Sequence, residues 1–138
     1  MIYRILIIAA LSCVYSFISA QTTSPLTRTM RWNATGFTDQ IAHVVATKPC
    51  QFVTYDTTKI EWIQKDGKIV YTLPVNNTSG EWSDPDTDGS IVYNVTLNDL
   101  TGSLTITRTG ASIVLSLNLT GSSDSINNTY TISNFEIL

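Results

Sequence analysis

One histidine, His43, and two cysteines, Cys13 and Cys50, are all the imidazole and thiol ligands that the 138 residues supply. A zinc site draws three or four donors mostly from these residue types, so zinc chemistry is excluded on ligand count. Hydrolytic triads fare no better, because no serine sits in a nucleophile-elbow pattern and His43 would have to serve alone. Charge is also scarce, with 8 Lys and Arg against 11 Asp and Glu and a net charge of −3. The basic residues are scattered, so the chain lacks the electrostatic footprint of a nucleic-acid or anionic-membrane binder. Missing too is any stretch with a 3.6-residue apolar stripe, which excludes a helical bundle.

The one long apolar run is at the start. "MIYRILIIAALSCVYSFISA" places Arg4 before an apolar segment and ends on small Ser19 and Ala20. That is the layout of a secretory signal peptide, and the apolar run is shorter than the ~20 residues of a membrane span. The C-terminal "TISNFEIL" has neither the length nor the hydropathy of a membrane anchor or lipid-anchor signal. The expected organisation is a signal peptide over residues 1–20 and a single all-β domain over 21–138, secreted and without a membrane anchor.

Secretion changes how cysteine and asparagine are read. Cys13 leaves with the leader, so no internal disulfide can form. Cys50 is then either an inert, half-buried thiol or the bridge of a disulfide-linked homodimer. Asn33, Asn76, Asn77, Asn94, Asn118 and Asn127 each have Ser or Thr two positions on with no intervening proline. Nine asparagines follow Ala20, and 32 of those 118 residues are Ser or Thr, so chance supplies roughly two or three sequons. The excess marks an N-glycosylated chain.

Period-two alternation runs through the rest. In "KIEWIQKDGKIVYTL" the Asp66-Gly67 pair is the preferred centre of a type I′ hairpin turn. Pairing outward from it sets Gln64 opposite Ile69, Ile63 opposite Val70, Trp62 opposite Tyr71 and Ile60 opposite Leu73. Residues 90–97, 103–108 and 112–119 continue the pattern. Folding about Thr109-Gly110 sets Ile106 opposite Ile113 and Leu104 opposite Leu115. Asn94 and Asn118 then point away from the apolar face. Residues 26–32, 41–46, 51–55 and 129–137 also read as strands, the last with a change of phase that implies a bulge near Ser133. The expectation is an antiparallel β-sandwich or small meander barrel of about 7–8 strands.

Cys50 followed by "IEWIQKDGKIVY" resembles the B and C strands of an immunoglobulin domain, where a core cysteine precedes a core tryptophan. The resemblance covers Cys50 to about Tyr71, with no second cysteine to complete it. It implies a two-sheet sandwich serving cell-surface or immune recognition.

Between strands, "SDPDTDG" offers Asp84, Asp86 and Asp88 as candidate calcium ligands, with Gly89 at the sixth position. The ninth and twelfth positions are Val92 and Val95, so the carboxylate set is incomplete, and an ordinary polar turn is the competing reading. Glu61, Glu81, Asp84 and Asp99 are the carboxylates that a hydrolase would have to pair, and nothing in their spacing favours it.

Two non-enzymatic functions remain. One is a recognition module for a protein or glycan partner, with Trp32, Trp82 and Tyr55 as candidate anchors. The competing role for Trp82 is a plug closing the end of the core. The other function is a barrel that carries an apolar ligand, which requires that Trp62, Tyr71, Tyr93, Leu104, Leu115 and Leu117 leave the interior free.

Overall fold

The computed structural model describes residues 24–138. The expected signal peptide and its cleavage point lie outside the described residues. Nine strands follow a short 3₁₀ turn at Pro25–Thr27: β1 (Thr29–Asp39), β2 (Val44–Ala46), β3 (Cys50–Tyr55), β4 (Lys59–Gln64), β5 (Ile69–Ser79), β6 (Gly89–Leu97), β7 (Leu100–Thr109), β8 (Ser112–Thr120) and β9 (Ser125–Ile137).

Sandwich or barrel resolves to barrel. From β3 to β9 each strand pairs antiparallel with the next, and β9 returns to β1 from Met30↔Ile137 to Asp39↔Asn128. Eight strands close the wall. The ninth, β2, is an addition: Ala34↔Cys50 and Phe37↔Ala46 lay β3 and β2 end to end along the same side of β1, with an interruption at residues 47–49. This closed meander corrects the immunoglobulin-like alternative. That fold needs two sheets joined by crossing connections, whereas the barrel joins spatial neighbours through mostly short turns.

Local chemistry explains the turns. Asp66 (φ 55°, ψ 39°) and Gly67 (φ 85°) both adopt the left-handed region, and Lys68 N donates to Lys65 O at 3.1 Å. That is the I′ geometry an Asp-Gly pair favours, and the β4–β5 register is the expected one, from Ile60↔Leu73 to Gln64↔Ile69. The β7–β8 register needs correction. Ile106 faces Leu115 and Leu104 faces Leu117, two residues away from the expected pairing, because the turn is centred on Gly110-Ala111. Gly110 takes φ 60° at the first central position, as a II′ turn requires. The slip is even, so every side chain keeps its face.

Two further expectations shift. Residues 41–46 are not one strand: Asp39 Oδ1 accepts from Ile41 N and Ala42 N, both at 2.9 Å, which folds the chain into a turn and leaves only Val44–Ala46 extended. His43 stands in that turn at φ 55° rather than on a strand face. β1 runs on to Asp39, past the expected end at Trp32, because β9 and β2 offer ladder partners to a segment with little alternation of its own. The bulge falls where the phase changed: Asn33 faces Asn134 and Ala34 faces Ile132, so Ser133 is skipped.

Alternation fills the interior. Trp32, Phe52, Ile60, Leu73, Ile91, Tyr93, Leu104, Ile106, Leu115, Leu117 and Tyr130 are all buried. The rings form a connected set, with Phe52 stacked on Trp62 (5.8 Å) and edge-on to Tyr130 (4.9 Å). Each such pair adds ~0.5–1.5 kcal/mol to its area burial. Among the described residues Thr54 is the buried polar exception, and its Oγ1 accepts from Trp32 Nε1 at 3.1 Å.

Candidate functional site

Strand order divides the connections between two ends. Residues 24–28, 56–58, 80–88 and 110–111 gather at one end. Residues 40–49, 65–68, 98–99 and 121–124 gather at the other.

The first end is sealed. Trp82 is 3% exposed and stacks on Trp32 with ring centroids 5.7 Å apart. Its Nε1 donates to Thr87 O at 2.8 Å, and its carbonyl accepts from Ser24 Oγ at 2.9 Å. The acidic loop is tied down around it. Arg108 Nη1 donates to Pro85 O and its Nε to Gly110 O, both at 2.9 Å, while Asp88 Oδ1 accepts from Gly110 N at 2.8 Å. Asp84 Oδ1 accepts from Asp86 N at 2.9 Å, closing a side-chain turn. Two of the three candidate calcium ligands thus hold backbone N–H groups. Among the described residues no group of three His, Cys, Asp or Glu side chains is placed to hold a metal.

The second end is open. Phe37, Cys50, Trp62, Gln64, Asn128 and Tyr130 line a half-open cup of about 530 Å³ at the barrel mouth, rimmed by Lys48, Lys65 and Asp66. That volume falls within the ~300–1,000 Å³ typical of small-molecule sites, which barrel mouths commonly provide. The cup lies to one side. Across the mouth Leu97, Leu100 and Leu119 close over the core. A second depression of about 630 Å³ lies against the interruption at residues 47–49 and shares Pro49, Cys50 and Asp66 with the first. The turn before β2 and β2 itself expose Ile41 (55%), Val44 (53%) and Val45 (75%); Val44, opposite Asp39, shares the face of Phe37, and Val45, opposite Thr38, takes the other face.

Burial sets the cup's chemistry. The Cys50 thiol is pushed up to about 11 by desolvation, which outweighs the opposing pull of the Trp62 indole beside it. The two groups are neighbours without a well-formed hydrogen bond, since Trp62 Nε1 is buried with no partner of good geometry. Tyr130 is raised well above the ordinary phenol value by the same desolvation, against the Asn128 amide, whose Nδ2 donates to the phenol oxygen at 3.2 Å. All of these groups are neutral at physiological pH. The cup can enclose and hydrogen-bond a ligand.

The other residues singled out in the sequence are dispersed. Trp32 is fully buried, so Tyr55 is the one candidate anchor with surface exposure; its hydroxyl donates to Glu61 Oε2 at 3.1 Å, and Lys59 Nζ lies 4.6 Å from its ring centroid. Glu61 is on the outer wall, Glu81 and Asp84 at the sealed end and Asp99 at the open end, so the carboxylates are not brought together. Asn76, Asn77 and Asn118 are exposed, and Asn33, Asn94 and Asn127 are half-buried. Gln64, Asn128 and Tyr130 escaped the sequence reading. Their signal was available, because Gln64 and Asn128 are polar residues at inward-facing positions of otherwise apolar alternation.

No family model matches the chain, and no curated protein or solved structure matches it.

Proposed function

We propose that this chain is a secreted, N-glycosylated, non-enzymatic binding module that takes its protein or glycan partner at the open mouth of the barrel. The observation that carries the reading is the inequality of the two ends. One is closed by a stacked, hydrogen-bonded indole; the other keeps an aromatic-lined cup, and exposed Ile41 and Val44 lie on the chain between Phe37 and Thr47, which line it. Exposed apolar side chains next to a concave, partly polar surface are what a recognition site needs. The neutral state of Cys50 and Tyr130 supports binding over catalysis.

A ligand carried inside the barrel is the second reading, and packing argues against it. Tyr93, Leu104, Leu115 and Leu117 are fully buried and Trp62 nearly so; only Tyr71, 38% exposed and tilted against Trp62 at 5.4 Å, stands clear of the interior. The cup and the depression beside it are the spaces that remain for a small ligand.

The test is a glycan array and a fragment screen run on the wild type, on two mouth variants (Val44→Glu and Gln64→Glu) and on a control at the sealed end, Ser112→Glu. Hits that weaken at least tenfold in the mouth variants and persist in the control are expected. A screen in which every hit survives both mouth substitutions would overturn the assignment.

A further inference from the structure

The outer wall from β6 to β9 carries a pattern that the mouth does not explain. Asn94 pairs with Ser103, Ser103 with Asn118 and Asn118 with Asn127, so three sequon asparagines stand in one transverse row across four strands. Asn77 on β5 extends the row by pairing with Asn94, whose Nδ2 donates to the Asn77 Oδ1. On both sides of the row the registered outward positions are Ser, Thr or Val, as in Val92–Thr105–Ser116–Thr129 and Thr96–Thr101–Thr120–Ser125. None of these positions is buried and none carries a charge. A soluble domain ordinarily interleaves both signs of charge over about a quarter to a third of its surface. Charge gathers elsewhere, on β4 with Lys59 on Glu61 at 3.1 Å and at the β1–β9 seam with Arg31 on Glu136 at 2.8 Å, at the far end of β9 from the row.

We propose that the β5–β9 wall is the glycan-bearing face of the molecule, with N-linked sugars attached in the Asn77–Asn94–Asn118–Asn127 row and lying over the neutral hydroxyl surface around it. The inference rests on the secretory reading above. Its occupant is the chain's own carbohydrate, and two features argue for it. Hydroxyl and amide side chains without charges match the hydrogen-bonding character of neutral sugar, and attached sugar supplies the hydration that these charge-free rows lack. The strand spacing of ~4.7–4.9 Å places Asn77 and Asn94 as one close pair and Asn118 and Asn127 as another, with Asn94 and Asn118 two strands, or about 10 Å, apart. One glycan from each pair is thus enough to cover the wall. A wall so covered is closed to partners, which leaves the mouth and the charge-bearing surface for recognition.

The experiment is site-resolved glycopeptide mapping of the full chain secreted from a eukaryotic host, with an Asn118→Gln, Asn127→Gln double variant as comparison. Glycan on at least one member of each pair is expected, with the double variant losing one glycan mass and becoming at least twofold less soluble. Glycan confined to Asn33 or Asn76, or to only one of the pairs, overturns the proposed face while leaving secretion intact. A secreted product with no glycan at all overturns the face and the glycoprotein reading together. Failure to enter the secretory pathway overturns the secretory reading itself.

Discussion

Adding one methyl group at Gly89 tests whether Trp82 seals the barrel. A Cβ there would lie 2.2 Å from Cδ1 and 2.5 Å from Cγ of Trp82, far inside the ~3.5–4.0 Å at which carbon atoms pack. Those atoms are near the root of the indole, so the ring cannot swing past the intruder. It is also fixed by Trp32, Thr87 and Ser24. Gly89 does not occupy the left-handed region, so the cost of Gly89→Ala comes from the clash alone. Overpacking of this kind costs ~1–3 kcal/mol if the ring strains in place, approaching the ~3–5 kcal/mol of a lost tryptophan if it is expelled. The assay is urea unfolding followed by far-ultraviolet circular dichroism on the wild type, Gly89→Ala, Trp82→Ala and the double variant. In the Trp82→Ala background the added methyl group should cost nothing, or gain ~0.4–1 kcal/mol through the unfolded chain. A coupling energy above ~1 kcal/mol is therefore expected. Equal cost in both backgrounds would show that glycine is needed for another reason and that Trp82 is not the seal.

Two further outcomes follow from the same chemistry. Burial holds Cys50 up to about 11 against an ordinary 9.0, Tyr93 up to about 12 against 10.0, and Tyr130 higher still. Each folded value exceeds its unfolded one, so this stability is fully present below about pH 9 and is lost as pH rises through 9 to 12. Unfolding midpoints measured from pH 8 to 11 should fall, with Cys50→Ala delaying the onset; a level midpoint across that window would refute the burial argument. The acidic loop should be indifferent to calcium, because Asp84 and Asp88 already accept N–H donors. Millimolar calcium should leave the melting temperature unchanged, while Asp88→Ala should destabilise by ~0.5–2 kcal/mol through its lost bond to Gly110. A calcium-dependent rise that Asp88→Ala abolishes would restore the metal reading.

Much of the wall was legible because alternation and turn chemistry are local. Asp66-Gly67 specified its hairpin down to individual partners, since both central residues need the same uncommon backbone region and few other pairs tolerate it. Thr109-Gly110 misled by two residues because a lone glycine serves equally well at different turn positions, and alternation cannot distinguish registers that differ by an even number. Closure of β9 onto β1 was beyond reach for a different reason. The pairing spans about a hundred residues and depends on a strand, 33–39, whose own sequence has almost no alternation and becomes extended only because partners lie on both sides.

The site was less legible than the fold, and the cause lies in what a periodic signal encodes. Alternation tells which face a residue takes but not its height along the barrel, so Trp82 and Trp32 looked alike as aromatics between polar neighbours. Height comes from the register, and once it is known the inward positions sort themselves. At the sealed end they hold Met30, Ile60, Leu73 and Ile91, all buried. At the mouth the β6–β8 side remains apolar through Leu97, Leu100 and Leu119, and only the β3, β4 and β9 side turns polar, through Cys50, Gln64 and Asn128. An inward-facing amide loses hydration for nothing in a sealed core, where its donors and acceptors would go unmet. Two such amides lie on one side of one end, and that is the side where the packing leaves the cup open.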